Sequence, residues 1–370
     1  MPARSPRANT PRAPRVHAVV LAGGAGERFW PASRSQRPKP FLEVVGGRSL
    51  LDATLARARR FARRDGVWVV CGREHAAAIR RASGLPASRV LVEPMRRNTA
   101  AAVAFAAARI RVEDPDAVMA VLPADHYIPD TRAFTADMKR AAKAAHAAER
   151  LITLGIAPAR PETGYGYIQR GRAVGRSHPG LHDVKRFVEK PSAAKARRFL
   201  ARGDHLWNAG IFLFSAGVIL EEIATHAPAL HTALRPVLDA GKRLPRATLE
   251  RAFRGAPSLP IDVAVMERSD RVWTLPVRWH WSDVGTWESL GAELGVAPGR
   301  SRVVSGSLVY DDAGGNLVWG RTERPIALLG VEGMAVVDTG DALLVTRLDR
   351  SNDVRDVVKA LKAKGRTDVT

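Results

Sequence analysis

Between Val16 and Ile156 short apolar runs alternate with stretches whose apolar residues recur at helical spacing, and no other feature narrows the possible folds of this chain so far. His17-Ala18-Val19-Val20-Leu21 reads as a buried strand, and runs at 67–71, 90–93, 117–122 and 151–156 repeat the pattern. Helices are predicted between them, near 49–63, 74–82, 98–112 and 133–149. Strand, helix and strand in succession build a largely parallel sheet with helices on both faces, because parallel neighbours need a crossover long enough to return along the sheet. In an open sheet of this kind ligands bind beyond the carboxyl ends of the strands, so residues that directly follow a strand are the candidates for a site.

The middle of the chain, from Thr163 to about Leu294, interleaves strand-like runs at 184–188, 211–214 and 272–277 with helical stretches near 192–201, 216–226, 228–239 and 284–294. It should extend the same sheet. After Ala297-Pro298-Gly299 the pattern changes to short β runs with turns at Asp311-Asp312, Gly314-Gly315 and Thr339-Gly340-Asp341. A closing helix is expected, capped by Ser351, with Val354, Val357, Val358 and Leu361 as its apolar stripe. The chain therefore divides into a Pro/Arg-rich tail over 1–15, expected to be disordered, a large α/β domain over 16–297, and a small C-terminal β domain with its helix over 298–370.

A chain of 370 residues with 46% hydrophobic content buries a large core. No run approaches the roughly 20 apolar residues of a membrane span. The N-terminus MPARSPRANTPRAPR lacks the apolar region of a secretory signal, so no membrane association and a cytoplasmic location are expected. The lone cysteine, Cys71, lies in the run Val67-Trp68-Val69-Val70-Cys71 and reads as an inert strand residue. A formal net charge of +21 raises nucleic acid as a partner. The pairs Arg59-Arg60, Arg63-Arg64, Arg80-Arg81 and Arg197-Arg198 fall on predicted helix faces, however, and aromatics make up only 6% of residues, so the charge reads as solvated surface and nucleic acid is not expected.

The first predicted strand runs into LAGGAGERFWPASRSQRPKPFLE, residues 21–43. Gly23, Gly24 and Gly26 let backbone N–H groups approach an anion that a side chain would keep away, and Arg28 and Lys39 supply positive charge, which together read as a triphosphate cradle. The segment lacks the third glycine of a dinucleotide fingerprint, and nothing in the chain fits G-x-x-x-x-G-K-[ST]. Trp30-Pro31 argues against a helix beginning at once, which predicts a long mobile loop.

Other candidates also follow predicted strands. Asp125, in Leu122-Pro123-Ala124-Asp125-His126, fits a magnesium carboxylate or a simple cap or turn residue, with His126 as a hydrogen-bonding neighbour. Asp283, in Trp281-Ser282-Asp283-Val284-Gly285-Thr286-Trp287, fits a second carboxylate ligand or a helix N-cap. Gly164 in Glu162-Thr163-Gly164-Tyr165-Gly166-Tyr167 would let a sugar ring press on backbone. Glu189 can accept hydrogen bonds from sugar hydroxyls and Lys190 can pair with a phosphate, although the two could equally form a solvated charge pair. Asn208 reads as a turn residue, and Asn98 as an N-cap, on their own.

Taken in order, these motifs resemble the sugar-1-phosphate nucleotidyltransferases, from Val16 through Lys362, and within that family the bacterial guanylyltransferase branch. The resemblance implies a Rossmann-like, mixed but mostly parallel sheet of the nucleotide-diphospho-sugar transferase type. It implies nucleotide contacts from Leu21, Ala22, Gly23, Gly24, Gly26, Arg28, Lys39, Asn98 and Thr99, with Asn98 and Thr99 beside the base. Gly164, Glu189, Lys190 and Asn208 become ligands of the sugar phosphate, and Asp125 and Asp283 together hold Mg2+.

The implied reaction joins GTP and mannose 1-phosphate into GDP-mannose and pyrophosphate, with Arg28, Lys39, Asp125 and Asp283 carrying the catalysis, and it leaves room for a homodimer. Relatives that pair thymidine, uridine or adenine nucleotides with glucose 1-phosphate share the loop, the lysine and both aspartates. The G-E-R-F-W-P, R-N-T and W-S-D-V-G-T-W segments favour GTP and mannose. A non-catalytic, nucleotide-sugar-sensing paralogue would be marked by loss of a metal aspartate or of the loop lysine, and both are present. Many bacterial members carry a further phosphomannose isomerase domain, which this chain is too short to contain.

Overall fold

The computed structural model describes residues 13–370 apart from Ala25, Gly46 and Ala313. Strand β1 (Val16–Ala22) is followed by single 3-10 turns at Glu27–Phe29 and Lys39–Phe41, a short hairpin of β2 (Glu43–Val45) and β3 (Arg48–Ser49), and helix α1 (Leu50–Ala58). Next come β4 (Val67–Gly72), α2 (Ala76–Ser83), β5 (Val90–Glu93), α3 (Asn98–Glu113), β6 (Val118–Pro123), α4 (Thr131–Ala148) and β7 (Leu151–Ile156). The middle holds β8 (Tyr167–Ala173), β9 (His182–Val188), α5 (Ala193–Arg202), β10 (His205–Ser215), α6 (Ala216–His226), α7 (Pro228–Leu238) and α8 (Arg246–Gly255). A π-helical turn at Asp262–Met266, β11 (Val272–Val277) and α9 (Trp287–Leu294) complete it. The C-terminal part comprises β12 (Arg302–Ser305), β13 (Ser307–Asp311), β14 (Leu317–Gly320), β15 (Pro325–Leu328), β16 (Met334–Asp338), β17 (Leu343–Arg347) and α10 (Val354–Ala363).

Nine strands form one sheet in the order β5-β4-β1-β6-β10-β7-β11-β9-β8. Their pairings make β10 and β9 antiparallel to the rest, so the sheet is mixed with most strands pointing one way, as the sequence implies. Alternation along each strand serves two cores. Ala18, Val20 and Val69 join Leu51, Leu55, Phe134 and Met138 of α1 and α4 on one face. Val19, Trp68 and Met119 join Phe105 of α3 and Ile219 of α6 on the other. Burial of each such Val, Leu or Phe contributes about 1.5–3 kcal/mol, and period-two alternation is what lets one strand feed both layers.

Because β1 lies between β4 and β6, the loops that leave β1 and β6 emerge side by side, and Ala124 N donates to the Leu21 carbonyl at 3.1 Å. That adjacency brings Gly23, Gly24, Gly26 and Arg28 into cavities they share with Asp125. Cys71 is buried and burial pushes its thiol up to about 12, in keeping with an inert strand residue. Arg15 does not belong to the tail: its carbonyl accepts from Val118 N, and its guanidinium meets the fully buried Asp114. Residues 1–12 of the predicted tail lie outside the described residues.

Behind α9, β12, β14 and β16 stack in parallel, with β17 antiparallel at the edge, while β13 and β15 pair in parallel as a second face. Val318 and Val336 are buried between them with Leu328. Parallel stacking of successive short strands is the pattern of a β-helix, which composition and turn signals alone had left as an unspecified β domain.

Three expectations change here. Residues 27–42 are not a free mobile loop: Phe29 and Trp30 are buried, Phe29 packs edge-on against Trp287 at 4.9 Å, and Trp30 Nε1 donates to the Val369 carbonyl at 2.6 Å. These contacts cross some 250 to 340 positions, so no local signal could reveal them. Ser351 does not cap α10. It sits in the preceding 3-10 turn and its Oγ accepts from Glu288 N at 3.2 Å, in the first turn of α9. Val357 is 39% exposed, so the stripe of α10 rests on Val354 and Val358. Ser351→Ala should lower stability by about 1 kcal/mol, the usual worth of a lost cap, read as a reduced urea midpoint with an unchanged slope.

Candidate active site

Three cavities open along the carboxyl edge of the sheet. The first, of about 330 Å3, is lined by Leu21 of β1 and by Gly23 and Gly24 after it, by Glu93 at the end of β5, by Asn98 and Thr99 at the start of α3, and by Asp125. A second, of about 370 Å3, shares Asp125 and adds Gly26, Arg28, Lys39 and Asp283. The third, of about 560 Å3, shares Arg28 and Asp283 and adds Gly164 and Tyr165. The sequence candidates for phosphate and metal thus share one continuous cleft.

Lys39 is its pivot. Its ammonium lies 2.8 Å from Asp125 Oδ2 and donates to the Asp283 carbonyl at 2.5 Å. Gly26 must be glycine here, since it adopts φ 62° and an added Cβ would stand 2.6 Å from Lys39 Cβ. Burial is the largest single influence on the Asp125 carboxyl and pushes its pKa up, but the charge and hydrogen bond of Lys39, the neighbouring His126 and a backbone hydrogen bond together outweigh it, and the pKa falls below the ordinary value. The neighbouring His126 is pushed down to about 4, by burial first and by the charges of Lys39 and Arg57. It is a neutral imidazole whose Nδ1 accepts from Trp281 Nε1 at 3.1 Å, as expected of a hydrogen-bonding neighbour.

Neither aspartate is a helix cap. Helix α4 is capped by Asp130, and α9 by Thr286 in a reciprocal box with Ser289. Asp283 instead receives the Tyr165 hydroxyl on Oδ1 at 2.7 Å. Arg28 reaches across to the Gly285 carbonyl at 3.4 Å.

Around the first cavity, Asn98 takes φ 63° and its Oδ1 accepts from Thr99 N at 2.9 Å, while Thr99 Oγ1 accepts from Ile261 N at 2.8 Å. Those bonds occupy part of the hydrogen-bonding capacity assigned to base recognition. Ala22 is 2% exposed with its methyl in the core, so only its backbone is available to a ligand.

Two residues that sequence reasoning passed over stand in the same wall. Glu93 has a buried Oε1 with no hydrogen-bond partner, and burial raises its pKa to about 7. Asp262 opens the π-helical turn, and burial together with the Glu189 charge raises it to about 6. A carboxylate at the end of a strand and an acid opening the run Ile261-Asp262-Val263-Ala264-Val265-Met266 were the available signals.

The sugar candidates gather beside Asp262. Asn208 Nδ2 donates to Asp262 Oδ1 at 2.8 Å, while Asn208 Oδ1 accepts from Thr153 Oγ1 and Gly210 N, each at 3.1 Å. One amide N–H remains to Asn208 for a ligand. Glu189 is half-buried, its backbone N–H held by Glu267 at 3.1 Å, and burial raises its pKa against the pull of Lys190, whose ammonium is 3.5 Å away. The glycine that matters to this group is Gly166, where a Cβ would lie 2.7 Å from Glu189 Oε2. Gly164 belongs to the third cavity instead, its N–H bound to Glu162 Oε1 at 3.0 Å.

Residues 17–294 match the nucleotidyl transferase family, and residues 306–361 match the MannoseP isomerase/GMP-like beta-helix domain. The xanthan biosynthesis protein XanB of Xanthomonas campestris pv. campestris (strain B100) is 40% identical over 357 residues, covering 95% of this chain and 74% of the relative. The mannose-1-phosphate guanylyltransferase of Escherichia coli is 37% identical over 360 residues, covering 95% and 74%. Among solved structures, the mannose-1-phosphate geranyltransferase of Thermus thermophilus superposes with a TM-score of 0.84 at 36% identity, over 94% of this chain and 99% of that one. Both the α/β domain and the β-helix thus have counterparts in one group of enzymes, and the chain belongs to the sugar-1-phosphate nucleotidyltransferases of the nucleotidyl transferase family.

Proposed function

We propose that this enzyme joins GTP and mannose 1-phosphate into GDP-mannose with release of pyrophosphate. The observation that carries the choice of base is Glu93. Glu93 lines the first cavity with its Oε1 buried and without a hydrogen-bond partner, and guanine alone among the common bases presents two adjacent donors, N1–H and N2–H, that a carboxylate can accept together. Uracil and thymine set one donor between two acceptors, which a carboxylate repels. The cost of leaving the wrong base unpaired is the basis of selection. The choice of mannose rests on the kinship with guanylyltransferases of that sugar phosphate.

No covalent nucleophile is required. A phosphate monoester has its second pKa near 6, so its oxygen is already largely ionised at neutral pH, and a general base contributes little. The obstacle is bringing two polyanions into line. The glycine-rich loop offers N–H groups, Arg28 offers a fork for phosphate oxygens, and Lys39 fixes the Asp125 carboxylate to the loop that carries Asp283. Glu189, Lys190 and the free Asn208 N–H orient the sugar phosphate from the far side.

Asp125 and Asp283 fit a magnesium site by their chemistry. Both are hard oxygen donors on one cavity, which suits an ion that takes one or two carboxylates and fills its sphere with water and phosphate oxygens. When bound, magnesium supplies neutralisation of phosphate charge. Among the described residues no helix is long and apolar enough to cross a membrane.

Pyrophosphate release measured with each nucleoside triphosphate against mannose and glucose 1-phosphates tests the assignment. GTP with mannose 1-phosphate should give the highest kcat/KM, and a tenfold preference for dTTP or UTP with glucose 1-phosphate would overturn it while leaving the family intact. Glu93→Gln replaces one acceptor with a donor and should cost GTP about 2 kcal/mol, on the order of 30-fold in kcat/KM, with UTP unaffected or improved. The sign of the pH effect follows from the raised pKa of about 7. Below it Glu93 is protonated and loses an acceptor, so KM for GTP should climb as pH falls through 7, and Glu93→Gln should abolish that part of the climb.

A further inference from the structure

The second cavity has a wall that catalytic-domain motifs do not supply. Arg355 lines it together with Arg28, Lys39 and both aspartates, although it lies on α10, behind the β-helix strands. Its placement follows from the helix. Val354 and Val358 are buried in the cluster that holds Phe29 and Trp30, which fixes α10 against the 3-10 turn of the phosphate loop. Residues 355 and 362, seven apart, share one flank of the helix. Lys362 uses that flank to bind Glu27 Oε1 at 2.7 Å.

A charge inventory of the cavity singles out Arg355. Lys39 is engaged by Asp125 and by the Asp283 carbonyl, and Glu27 is neutralised by Lys362. Among the described residues, Arg28 has only the 3.4 Å contact to the Gly285 carbonyl, and Arg355 has no ion pair or hydrogen bond. Among the described residues no carboxylate contacts either guanidinium, although the adjacent Asp356 feels the Arg355 charge, so both groups line the cavity beside Asp125 and Asp283 with their N–H groups open to a ligand. Guanidinium forks match phosphate oxygens in pairs.

We propose that Arg355 is a phosphate-binding residue of the active site, which together with Arg28 grips the β- and γ-phosphates of the incoming triphosphate and the pyrophosphate that leaves. This rests on the nucleotidyl-transfer reading above and deepens it: the β-helix domain contributes directly to the reaction centre. No bond is made or broken by Arg355. It takes up charge as a mannose 1-phosphate oxygen bonds to the α-phosphorus of GTP, the bond from that phosphorus to the bridging oxygen breaks, and the departing pyrophosphate keeps that electron pair.

Calorimetry of magnesium pyrophosphate and of GDP-mannose, each on the full chain, separates the possibilities, because GDP-mannose lacks the leaving group. Arg355→Ala should weaken pyrophosphate by about tenfold or more and GDP-mannose by less than twofold, with an unchanged thermal midpoint. Arg355→Lys should recover part of the loss. Lys359→Ala, which removes the same charge from an exposed position on the same helix, should leave both ligands unchanged. Unaltered pyrophosphate binding in Arg355→Ala, or equal weakening of both ligands, would overturn the assignment. Failure of the unmodified enzyme to bind pyrophosphate or any nucleoside triphosphate would instead remove the nucleotidyl-transfer reading on which it rests.

Discussion

Asp125→Asn is expected to lower kcat by about 10²-fold or more, the scale on which loss of an electrostatic stabiliser is felt. The substitution keeps the shape of the side chain and leaves an amide oxygen for Lys39, which now sits 2.8 Å from the carboxylate. What it removes is the charge. Asp283→Asn should do the same while retaining an acceptor for the Tyr165 hydroxyl. If both aspartates act through one magnesium, the double variant should lose much less than the product of the single effects. Magnesium titrations should show a raised requirement in each single variant, with the circular dichroism spectrum unchanged. Near-full activity at unaltered magnesium dependence in either variant would mean that its carboxylate only positions the loop.

Lys39→Met should cost a further-reaching 10²–10³-fold in kcat. The ammonium ties together two segments distant in the chain, Asp125 after β6 and the Asp283 carbonyl before α9. Methionine fills the same volume but holds neither. The Asp125 carboxylate then faces the cavity without its counter-charge, and a buried charge that loses its partner is costly. Substrate affinity should fall less than turnover, because Arg28 and the backbone of the glycine loop remain. A variant that kept kcat within tenfold while losing thermal stability would show Lys39 to be a structural tie alone.

The alternation of apolar runs made the first half of the sheet readable in the sequence, since β4, β5, β6 and β7 each carry a run of buried residues. β8 was missed for the opposite reason. Its sequence YIQRGRA buries only its first two residues, as an outer antiparallel strand with one wet face can afford to do. β10 was recognised only over its last residues, because Asn208-Ala209-Gly210 reads as a turn, whereas the strand passes through it with a bulge and with Gly210 at φ 64°. The charged face of α8 hid a helix that buries just Ala252 and Phe253.

At the cleft, the position of the glycine-rich loop and its charged residues could be read because they lie close together behind one strand. Asp262 could not, since its importance comes from Asn208, which is 54 positions away. Glu93 ends a predicted strand, but only the missing partner of its Oε1 singles it out. Arg355 lay in the closing helix, where periodicity speaks of packing and says nothing of the cavity on the other flank.

The reversed strand β10 bears on the order in which the protein assembles. It enters the sheet between β6 and β7 and hydrogen-bonds to both. Residues 118–123 therefore present an open, apolar edge until residues 205–215 have left the ribosome. At a synthesis rate of about 5–20 residues per second, that interval lasts roughly 5–18 s. Four parallel strands can gather during it, but the sheet cannot close. The yield of active protein is therefore expected to respond to translation pace and to shielding of that edge, independently of how stable the finished fold is.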